Sequence, residues 1–358
     1  MSIKDVVEFP KLGLEFTLDK VAFSIGGLHI YWYGIIITAG ILIAAVYGLS
    51  QTKKYGLDPN RVIDTVMGGL IGAYVGARLY FVLFSLSEYD SFIDVINVRD
   101  GGLAIYGGII GAVVVGGIIS KFRKLKFPPM LDIAGLGFLI GQSIGRWGNF
   151  VNREAFGKNT DLPWGMTSDD IQYYLTQNKS RIAEKNDIIV DPLKAVHPTF
   201  LYESIWCAIG FIVLHFYSKK RKFDGEVFLM YIAWYGTGRF VIEGLRTDSL
   251  MLGKLRVSQL LAAISVIVAV ALIFFIRSRI KRTGDYVFYK DTEESKLFLE
   301  EFEQGKKKDA KKAQNSDEDT DNDESYDDEN DSDNNEDSDD EDDNDGDLDH
   351  DDEEDADV

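Results

Sequence analysis

The chain contains very few of the residues that build disulfide frameworks and metal sites. Among its 358 residues are one cysteine, Cys207, and four histidines. One cysteine excludes an intrachain disulfide, and because Cys-x-x-Cys and His-Glu-x-x-His spacings are both missing, the sequence predicts no metal cofactor. Cys207 lies inside an apolar run, which is typical of a small core residue rather than of a reactive thiol.

A continuous apolar stretch is also missing from the first 24 residues, where Lys4, Lys11 and Lys20 lie among acidic side chains. A cleavable signal peptide needs such a stretch. We therefore expect the first membrane helix to direct targeting, and we predict that residues 1–25 form an extracellular N-terminal segment.

Lysine and arginine are absent from residues 316–358, which hold 27 of the 58 acidic side chains. The rest of the chain has 31 acidic and 38 basic residues, so the formal net charge of −20 is the sum of −27 in the tail and +7 in a mildly basic body. This tail has too few apolar residues to offset the entropy cost of ordering, and we predict that it is disordered. Residues 283–315 before it are predicted to be a juxtamembrane cytoplasmic segment with a short amphipathic helix. We expect residues beyond about 290 to be dispensable for activity.

Long apolar runs, by contrast, are abundant. Seven stretches approach or exceed the roughly 20 mostly apolar residues that a helix needs to cross a bilayer. They are residues 26–49, 62–85, 103–120, 131–147, 199–217, 226–244 and 257–276. The sequence therefore predicts an all-α polytopic membrane protein with about seven transmembrane helices within residues 26–282. Glycines four residues apart, as at Gly68, Gly72 and Gly76, predict close packing between these helices.

The connections between these stretches differ in charge. Four connections are basic and alternate correctly for one side of a membrane, namely residues 51–61, 121–130, 218–225 and 277–282. Basic loops stay in the cytoplasm, which predicts an outer N-terminus and a cytoplasmic C-terminus. The loop 148–198 then lies outside, and its length predicts a small extracellular head.

Charged and amide side chains gather where the fourth apolar run ends. Residues 145–157 read GRWGNFVNREAFG, and because such side chains are costly at a membrane boundary they mark a functional site. The run resembles the signature of bacterial prolipoprotein diacylglyceryl transferases, Gly-Arg-x-Gly-Asn-Phe-aliphatic-Asn-x-Glu-x-x-Gly, and it fills every fixed position. The resemblance extends over about residues 20–280.

The resemblance implies an enzyme of the bacterial plasma membrane. Its reaction moves the diacylglyceryl group of phosphatidylglycerol to the lipobox cysteine thiol of a prolipoprotein, which forms a thioether and releases glycerol phosphate. The implied partners are phosphatidylglycerol, prolipoprotein signal peptides with a lipobox cysteine, and membrane lipids. Neither a soluble cofactor nor a nucleic acid is implied.

The sixth apolar stretch carries a second set of polar residues. Tyr235, Arg239 and Glu243 are four residues apart, which places them on one face of a helix, and Arg246 follows. The family has a Tyr, an Arg and a Glu at matching spacing in this helix, which implies catalytic roles for the three. Arg146 and Arg239 together would clamp a phosphate, because guanidinium groups bind phosphate oxygens in pairs and stay charged.

The remaining residues of the predicted lipid site are Arg246, residues of the signature and one residue of the first helix. Asn149, Asn152 and Glu154 can orient the arginines or the headgroup hydroxyls through hydrogen bonds. Gly157 would allow a close backbone approach or a positive φ. Tyr33 lies in a Trp-Tyr-Gly element similar to that of the first helix in the family.

The acceptor of the thiol proton stays open among three groups. Tyr106 lies between glycine pairs in residues 100–108, at a position where some family members have a histidine that is proposed as the base. His197 begins an element, HPTFLYE, that is similar to the family's His-Pro-x-x-x-Tyr-Glu, and it is either a helix cap or a site residue. The third candidate is the departing phosphate itself.

Two other function classes have weaker support. Residues 141–145 match the Gly-x-Ser-x-Gly nucleophile elbow, which would make Ser143 the nucleophile of an intramembrane hydrolase. That motif needs a strand-turn-helix context, whereas Ser143 lies in an apolar run. A polytopic transporter would favour internal repeats and interrupted helices in corresponding positions, and the sequence has no such halves.

Overall fold

A computed structural model describes residues 6–86, 95–96, 101–247, 249–253, 255–284 and 286–323. Its helices are α1 Trp32–Gln51, α2 Pro59–Phe84, α3 Ile105–Phe122, α4 Phe127–Asn152, α5 Asp169–Asn186, α6 Thr199–Ser218, α7 Glu226–Glu243, α8 Val257–Thr283 and α9 Glu293–Asp323. Its strands are β1 Val6–Phe9, β2 Leu14–Thr17, β3 Val21–Ile25, β4 Leu28–Tyr31, β5 Thr167–Ser168, β6 Met251–Leu252 and β7 Leu255–Arg256.

A helix forms at each of the seven predicted membrane stretches. Six of these helices are long and apolar enough to cross a membrane in the described part of the chain, and α7 falls outside that group. The composition of α7 explains the difference, because its 18 residues include Glu226, Arg239 and Glu243. The prediction of a polytopic helical membrane fold is confirmed, and the number seven stays a prediction.

The fourth helix is longer than the predicted stretch 131–147. It begins at Phe127 and ends at Asn152. Pro128 and Pro129 fit its first turn, because a backbone N–H there would have no acceptor within the helix. The helix therefore includes half of the polar signature. This extension brings Arg146 and Asn149 onto consecutive turns of one rigid element.

Glycines set the packing of α2 against α3. A Cβ atom at Gly72 or Gly76 would collide with the backbone of α3 at Gly111 and Gly107. The two helices therefore form a closely packed hairpin. The other helices pack mainly as α1 with α4, α4 with α6 and α7, α6 with α7, and α7 with α8.

The predicted head and the predicted N-terminal segment form one folded part. Strand β1 pairs with β2 and with β5, and the sheet has the order β2-β1-β5. Val7 and Phe9 of β1 are buried with Phe156, Ile171 and Leu175 of the loop between α4 and α6. The sequence prediction separated residues 1–25 from 148–198; the structure joins them because strands this short need partners from both segments.

The opposite end of the bundle is fastened by residues after α8. Tyr289 and Ser295 are buried there, and Ser295 Oγ donates to the carbonyl oxygen of Gly56 at 2.7 Å. Helix α9 ends at Asp323, and the disorder of the tail 316–358 stays a prediction. Residues 324–358 of the predicted tail lie outside the described residues.

Candidate active site

Three helix ends meet at the polar residues singled out by the sequence. Helix α4 ends there, α6 begins and α7 ends, so Arg146, Glu203 and Arg239 lie close together. Glu203 Oε1 accepts from Arg146 Nη2 at 2.6 Å, and Glu203 Oε2 accepts from Arg239 Nη1 at 3.3 Å. Tyr235 Oη also donates to Glu203 Oε1, at 3.2 Å. One carboxylate therefore holds two guanidinium groups and a phenol.

A second network extends along the signature. Arg146 Nη1 donates to Asn149 Oδ1 at 3.1 Å, and Asn149 Nδ2 donates to Glu154 Oε1 at 2.9 Å. Asn152 Nδ2 lies 3.4 Å from the same oxygen of Glu154. Arg153 and Ala155 have φ of 56° and 57°, and this left-handed backbone turns the chain back so that Glu154 faces the last turn of α4.

The two arginines are the exposed part of the site and the carboxylates are the buried part. Arg239 Nη2 also pairs with Glu243 Oε2 at 2.7 Å. The side chains of Arg146 and Arg239 are 21% and 20% exposed, whereas those of Glu203 and Glu243 are 3% and 2% exposed. The accessible side of the cluster therefore presents guanidinium groups, which is the arrangement that an anionic ligand needs.

Gly157 lies where two chain segments approach each other. Its N–H donates to the carbonyl oxygen of His197 at 2.9 Å, and the next N–H, of Lys158, donates to Leu245 at 2.7 Å. A Cβ atom at Gly157 would lie 2.8 Å from the Cβ of His197 and 3.1 Å from the Leu245 oxygen. Of the two uses that the sequence predicted for this glycine, the structure has the close approach, and its φ is not left-handed.

Tyr33 and His197 lie at the borders of the site. The ring of Tyr33 packs where a Cβ atom at Gly148 would lie 2.8 Å from its Cδ2, so the second glycine of the signature makes room for it. His197 Nδ1 is 3.1 Å from the hydroxyl of Tyr202, which precedes Glu203 on α6.

Sequence comparison identifies the family. The sequence model described as prolipoprotein diacylglyceryl transferase matches residues 20–275. The chain belongs to the prolipoprotein diacylglyceryl transferase family. Relatives named phosphatidylglycerol–prolipoprotein diacylglyceryl transferase share 42% identity over 257 residues in Finegoldia magna, which is 71% of this chain and 94% of the relative, and 41% over 251 residues in Clostridioides difficile, 70% and 92%. The relative from Pediococcus pentosaceus is 39% identical over 275 residues, 76% and 95%.

This family membership, with the six apolar helices, makes the chain a multi-pass bacterial membrane protein. Residues 20–275 contain all the predicted site residues, from Tyr33 to Arg246. The family match ends before α9, so the segment that packs beneath α1 and α2 lies outside the matched residues of this transferase.

Tyr106 and Arg246 differ in how they relate to the Glu203 cluster, since the backbone N–H of Arg246 donates to the carbonyl oxygen of Glu243 at 3.2 Å. Tyr106 is in the first turn of α3 and 54% exposed, and no hydrogen bond or ring contact between described residues joins it to Arg146 or Arg239. Arg246 follows α7 and forms a β-bridge with Gly157, and its carbonyl oxygen accepts from Arg256 Nη1 at 2.9 Å. Their proposed roles in the transferase stay predictions.

Glu203 is the residue that the sequence prediction missed, although it is at the centre of the cluster. The signal was present, because Glu203 is the last residue of the HPTFLYE element and a carboxylate in an otherwise apolar helix needs a partner. The sequence does not tell which partner it finds, since Arg146 lies 57 positions away and Arg239 lies 36 positions away.

Ser143 has a structural partner. Its Oγ donates to the carbonyl oxygen of Ser204 at 2.9 Å, and Ser204 Oγ donates back to the carbonyl oxygen of Ser143 at 2.8 Å. These reciprocal bonds join α4 to α6, and Ser143 lies in the interior of the continuous helix α4. The motif around Ser143 lacks the strand-turn-helix context of a nucleophile elbow.

Proposed function

We propose that this chain is a phosphatidylglycerol–prolipoprotein diacylglyceryl transferase that carries out the first step of lipoprotein maturation. Family membership supports the activity. The site that we assign to it is the Glu203 cluster, and the observation that carries the assignment is the partial exposure of Arg146 and Arg239 over two buried carboxylates. We also propose that this site faces the outer side of the membrane, because the basic connections lie at the opposite end of the helices.

The reaction forms one bond and breaks one bond. The sulfur of the lipobox cysteine attacks the glycerol carbon that bears the phosphate, and a carbon–sulfur bond replaces the carbon–oxygen bond. Glycerol phosphate leaves with the electron pair of the broken bond. The thiol must lose its proton because the thiolate is the nucleophile, and the product phosphate monoester can take up that proton.

Arg146 and Arg239 are proposed to stabilise the charge that builds on the departing phosphate. Fixed donors in a site of low dielectric stabilise such charge without reorganising as it forms. Glu203 holds one nitrogen of each guanidinium and Tyr235 supports the same carboxylate. Each arginine keeps further N–H groups for the phosphate, so Glu203 aligns the two arginines without neutralising every donor.

Glu243 is proposed to position Arg239 and not to accept the proton. It lies one turn beyond Arg239 and pairs with its other terminal nitrogen at 2.7 Å. Its side chain is 2% exposed and is committed to this ion pair. Asn149, Asn152 and Glu154 are proposed to bind the headgroup through the network that begins at Arg146.

The proposed acceptor of the thiol proton is the departing phosphate. Arg146 and Arg239 would hold this group beside the reacting carbon, whereas Tyr106 has no contact with the described cluster. A phosphate monoester has its second pKa near 6, so the group can accept the thiol proton as it leaves and release it to solvent at neutral pH. Both substrates remain in or at the membrane throughout.

The test is transfer of diacylglycerol from phosphatidylglycerol to a lipobox peptide by purified protein, detected by mass. Arg239→Lys should lower kcat/KM by about 100-fold, because a point charge does not replace a paired donor. The matched control is Arg277→Lys. Arg277 binds buried Glu226 through Nε at 2.6 Å at the other end of the bundle, and its replacement should leave transfer unchanged. Equal activity of the two variants would contradict the site assignment.

A further inference from the structure

Three aromatic side chains form a hydrogen-bonded series next to the Glu203 cluster. Trp164 Nε1 donates to Tyr202 Oη at 2.8 Å, and Tyr202 Oη lies 3.1 Å from His197 Nδ1. The His197 and Tyr202 rings are also in edge contact, with their centroids 5.9 Å apart. Tyr202 directly precedes Glu203 on α6, and His197 lies in the segment that leads into this helix.

The first member of the series is held by a tight turn. Gly165 N–H donates to the Leu162 carbonyl oxygen at 3.1 Å, and Thr160 N–H donates to Ala195 at 2.9 Å. A Cβ atom at Gly165 would lie 2.9 Å from the Thr160 methyl carbon and 3.0 Å from the Ala195 Cβ. The turn therefore fixes the backbone of Trp164, and the indole reaches Tyr202 from a defined position.

The chemistry of the indole fixes the direction of the first hydrogen bond, and the second is assigned from the hydrogens that remain. An indole N–H can only donate, so the Trp164 bond uses a lone pair of Tyr202 Oη. The phenol keeps one hydrogen and one lone pair, so the 3.1 Å contact with His197 Nδ1 fits donation from either group. Since no other described residue accepts the phenol hydrogen, we assign the contact as donation from Tyr202 to Nδ1. A ring nitrogen that accepts carries no hydrogen, so the hydrogen of a neutral His197 is on Nε2.

The environment of His197 keeps the ring neutral. Burial lowers the pKa of His197 below its ordinary value, and the nearby positive charge of Lys158 lowers it further. The backbone of His197 is held on both sides, since its oxygen accepts from Gly157 and its N–H donates to Lys158. No described residue forms a hydrogen bond with Nε2, and the ring is partly exposed, so its N–H is available to a ligand.

We propose that Trp164 and Tyr202 are positioning residues that hold His197 as the Nε2–H tautomer, and that His197 donates from Nε2 to an oxygen of the phospholipid substrate. The donor role rests on the proposed function, whereas the tautomer does not. In this role His197 binds the phosphatidylglycerol headgroup and does not remove the thiol proton. This assignment also separates His197 from Tyr106, the other side chain considered as a base.

The tautomer is tested by nitrogen-15 NMR of histidine-labelled protein in lipid nanodiscs at pH 7.5. The His197 signals are identified by their loss in His197→Gln. We expect the Nε2–H pattern in the native protein and a mixture of both tautomers in Tyr202→Phe, which removes the phenol hydrogen. Trp164→Phe should shift the same signals, and Tyr173→Phe, a change at an exposed tyrosine of α5, should not. An Nδ1–H pattern, or signals that Tyr202→Phe leaves unchanged, would overturn the proposal.

The donor role is tested by two amides in the transfer assay. The amide nitrogen of glutamine can take the place of Nε2–H, that of asparagine is nearer to Nδ1, and neither is a base. His197→Gln should therefore keep transfer within about tenfold of the native rate, mainly through a higher KM, while His197→Asn should lose at least tenfold more. Equal and complete loss in both variants would contradict donation from Nε2. The NMR result is independent of transfer, so failure of the proposed function and failure of the tautomer assignment remain distinguishable.

Discussion

Helices α4, α6 and α7 carry one polar cluster at each end, and the two clusters differ in what their carboxylates bind. At the site end, Glu203 accepts from the side chains of Arg146, Arg239 and Tyr235. At the opposite end, which we call the capped end, Asp132 accepts from the backbone N–H groups of Gly225 and Phe228, both at 2.9 Å. Glu203 therefore binds side chains only, whereas Asp132 also caps the backbone of a neighbouring helix.

The difference separates function from folding among buried charges. The first turn of α7 leaves backbone N–H groups without helical partners, and Asp132 satisfies two of them. The cluster at the capped end therefore completes the fold. Asp224 similarly accepts from the backbone N–H of Tyr289 at 2.8 Å. At the site end the guanidinium groups keep donors that the carboxylate does not use. A polar group held only by side chains can exchange partners with a ligand, whereas a backbone cap cannot.

The largest expected effect is that of removing the shared carboxylate. Glu203→Gln keeps the shape but weakens the alignment of two arginines at once, so transfer should fall by about 100- to 1,000-fold. The measurement is kcat/KM at matched amounts of folded protein. The matched variant at the capped end is Glu226→Gln, which removes a buried carboxylate that binds Arg277. A fall in turnover of similar size in Glu226→Gln would remove the distinction between the two clusters.

Substitutions at the capped end are expected to change the stability of the fold rather than the rate of transfer. Asp132→Asn weakens the acceptor for two backbone N–H groups, and an unsatisfied buried donor costs about 1–3 kcal/mol. The midpoint of thermal unfolding in detergent should therefore fall, while transfer per folded molecule stays within about twofold. If Asp132→Asn lowers turnover without lowering the midpoint, the capped end contributes to catalysis and the comparison fails.

The membrane body could be predicted from sequence because each helix is specified locally. Apolar stretches near the thickness of a bilayer give the spans, and glycines four apart predict the α2–α3 packing that the structure has. The end of α4 was predicted too early because Asn149 and Asn152 are polar residues that usually indicate a loop. The helix continues because these amides are satisfied by Arg146 and Glu154.

The partners within the site and the head could not be predicted, because they depend on contacts between distant positions. Strand β5 has two residues and pairs with β1, more than 150 positions earlier, so no local pattern indicates it. Glu203 is part of the HPTFLYE element, but no local pattern indicates that it is the centre of the cluster. The signature and the α7 residues, in contrast, were recognised because their spacing within a single helix is itself the signal.

A smaller effect distinguishes the two carboxylates of Arg239. Glu243 holds one guanidinium and Glu203 holds two, so Glu243→Gln should reduce transfer by only about tenfold, close to 1.4 kcal/mol of barrier. Arg239→Gln should reduce it by at least a further tenfold. The pH profile of kcat/KM should keep both limbs in Glu243→Gln. Loss of one limb in that variant alone would assign the proton acceptor to Glu243 and contradict its positioning role.

The smallest expected effects come from shortening the chain after α8. The sequence predicts that residues beyond about 290 are dispensable for activity, and the contacts of α9 indicate that some of them contribute to stability. Arg61 lies 3.5 Å from the centre of the Phe298 ring and 3.3 Å from Glu301, so α9 holds the first turn of α2.

Truncation after Gly305 retains these contacts and should change neither the unfolding midpoint nor transfer by more than about twofold. Truncation after Thr292 removes them together with the bond from Ser295 to Gly56, and it should lower stability by about 1 kcal/mol. The site lies at the other ends of α4, α6 and α7, so transfer per folded molecule should stay the same in both truncated forms. A selective loss of transfer in the shorter form, at an unchanged midpoint, would show that the capped end and the site are coupled.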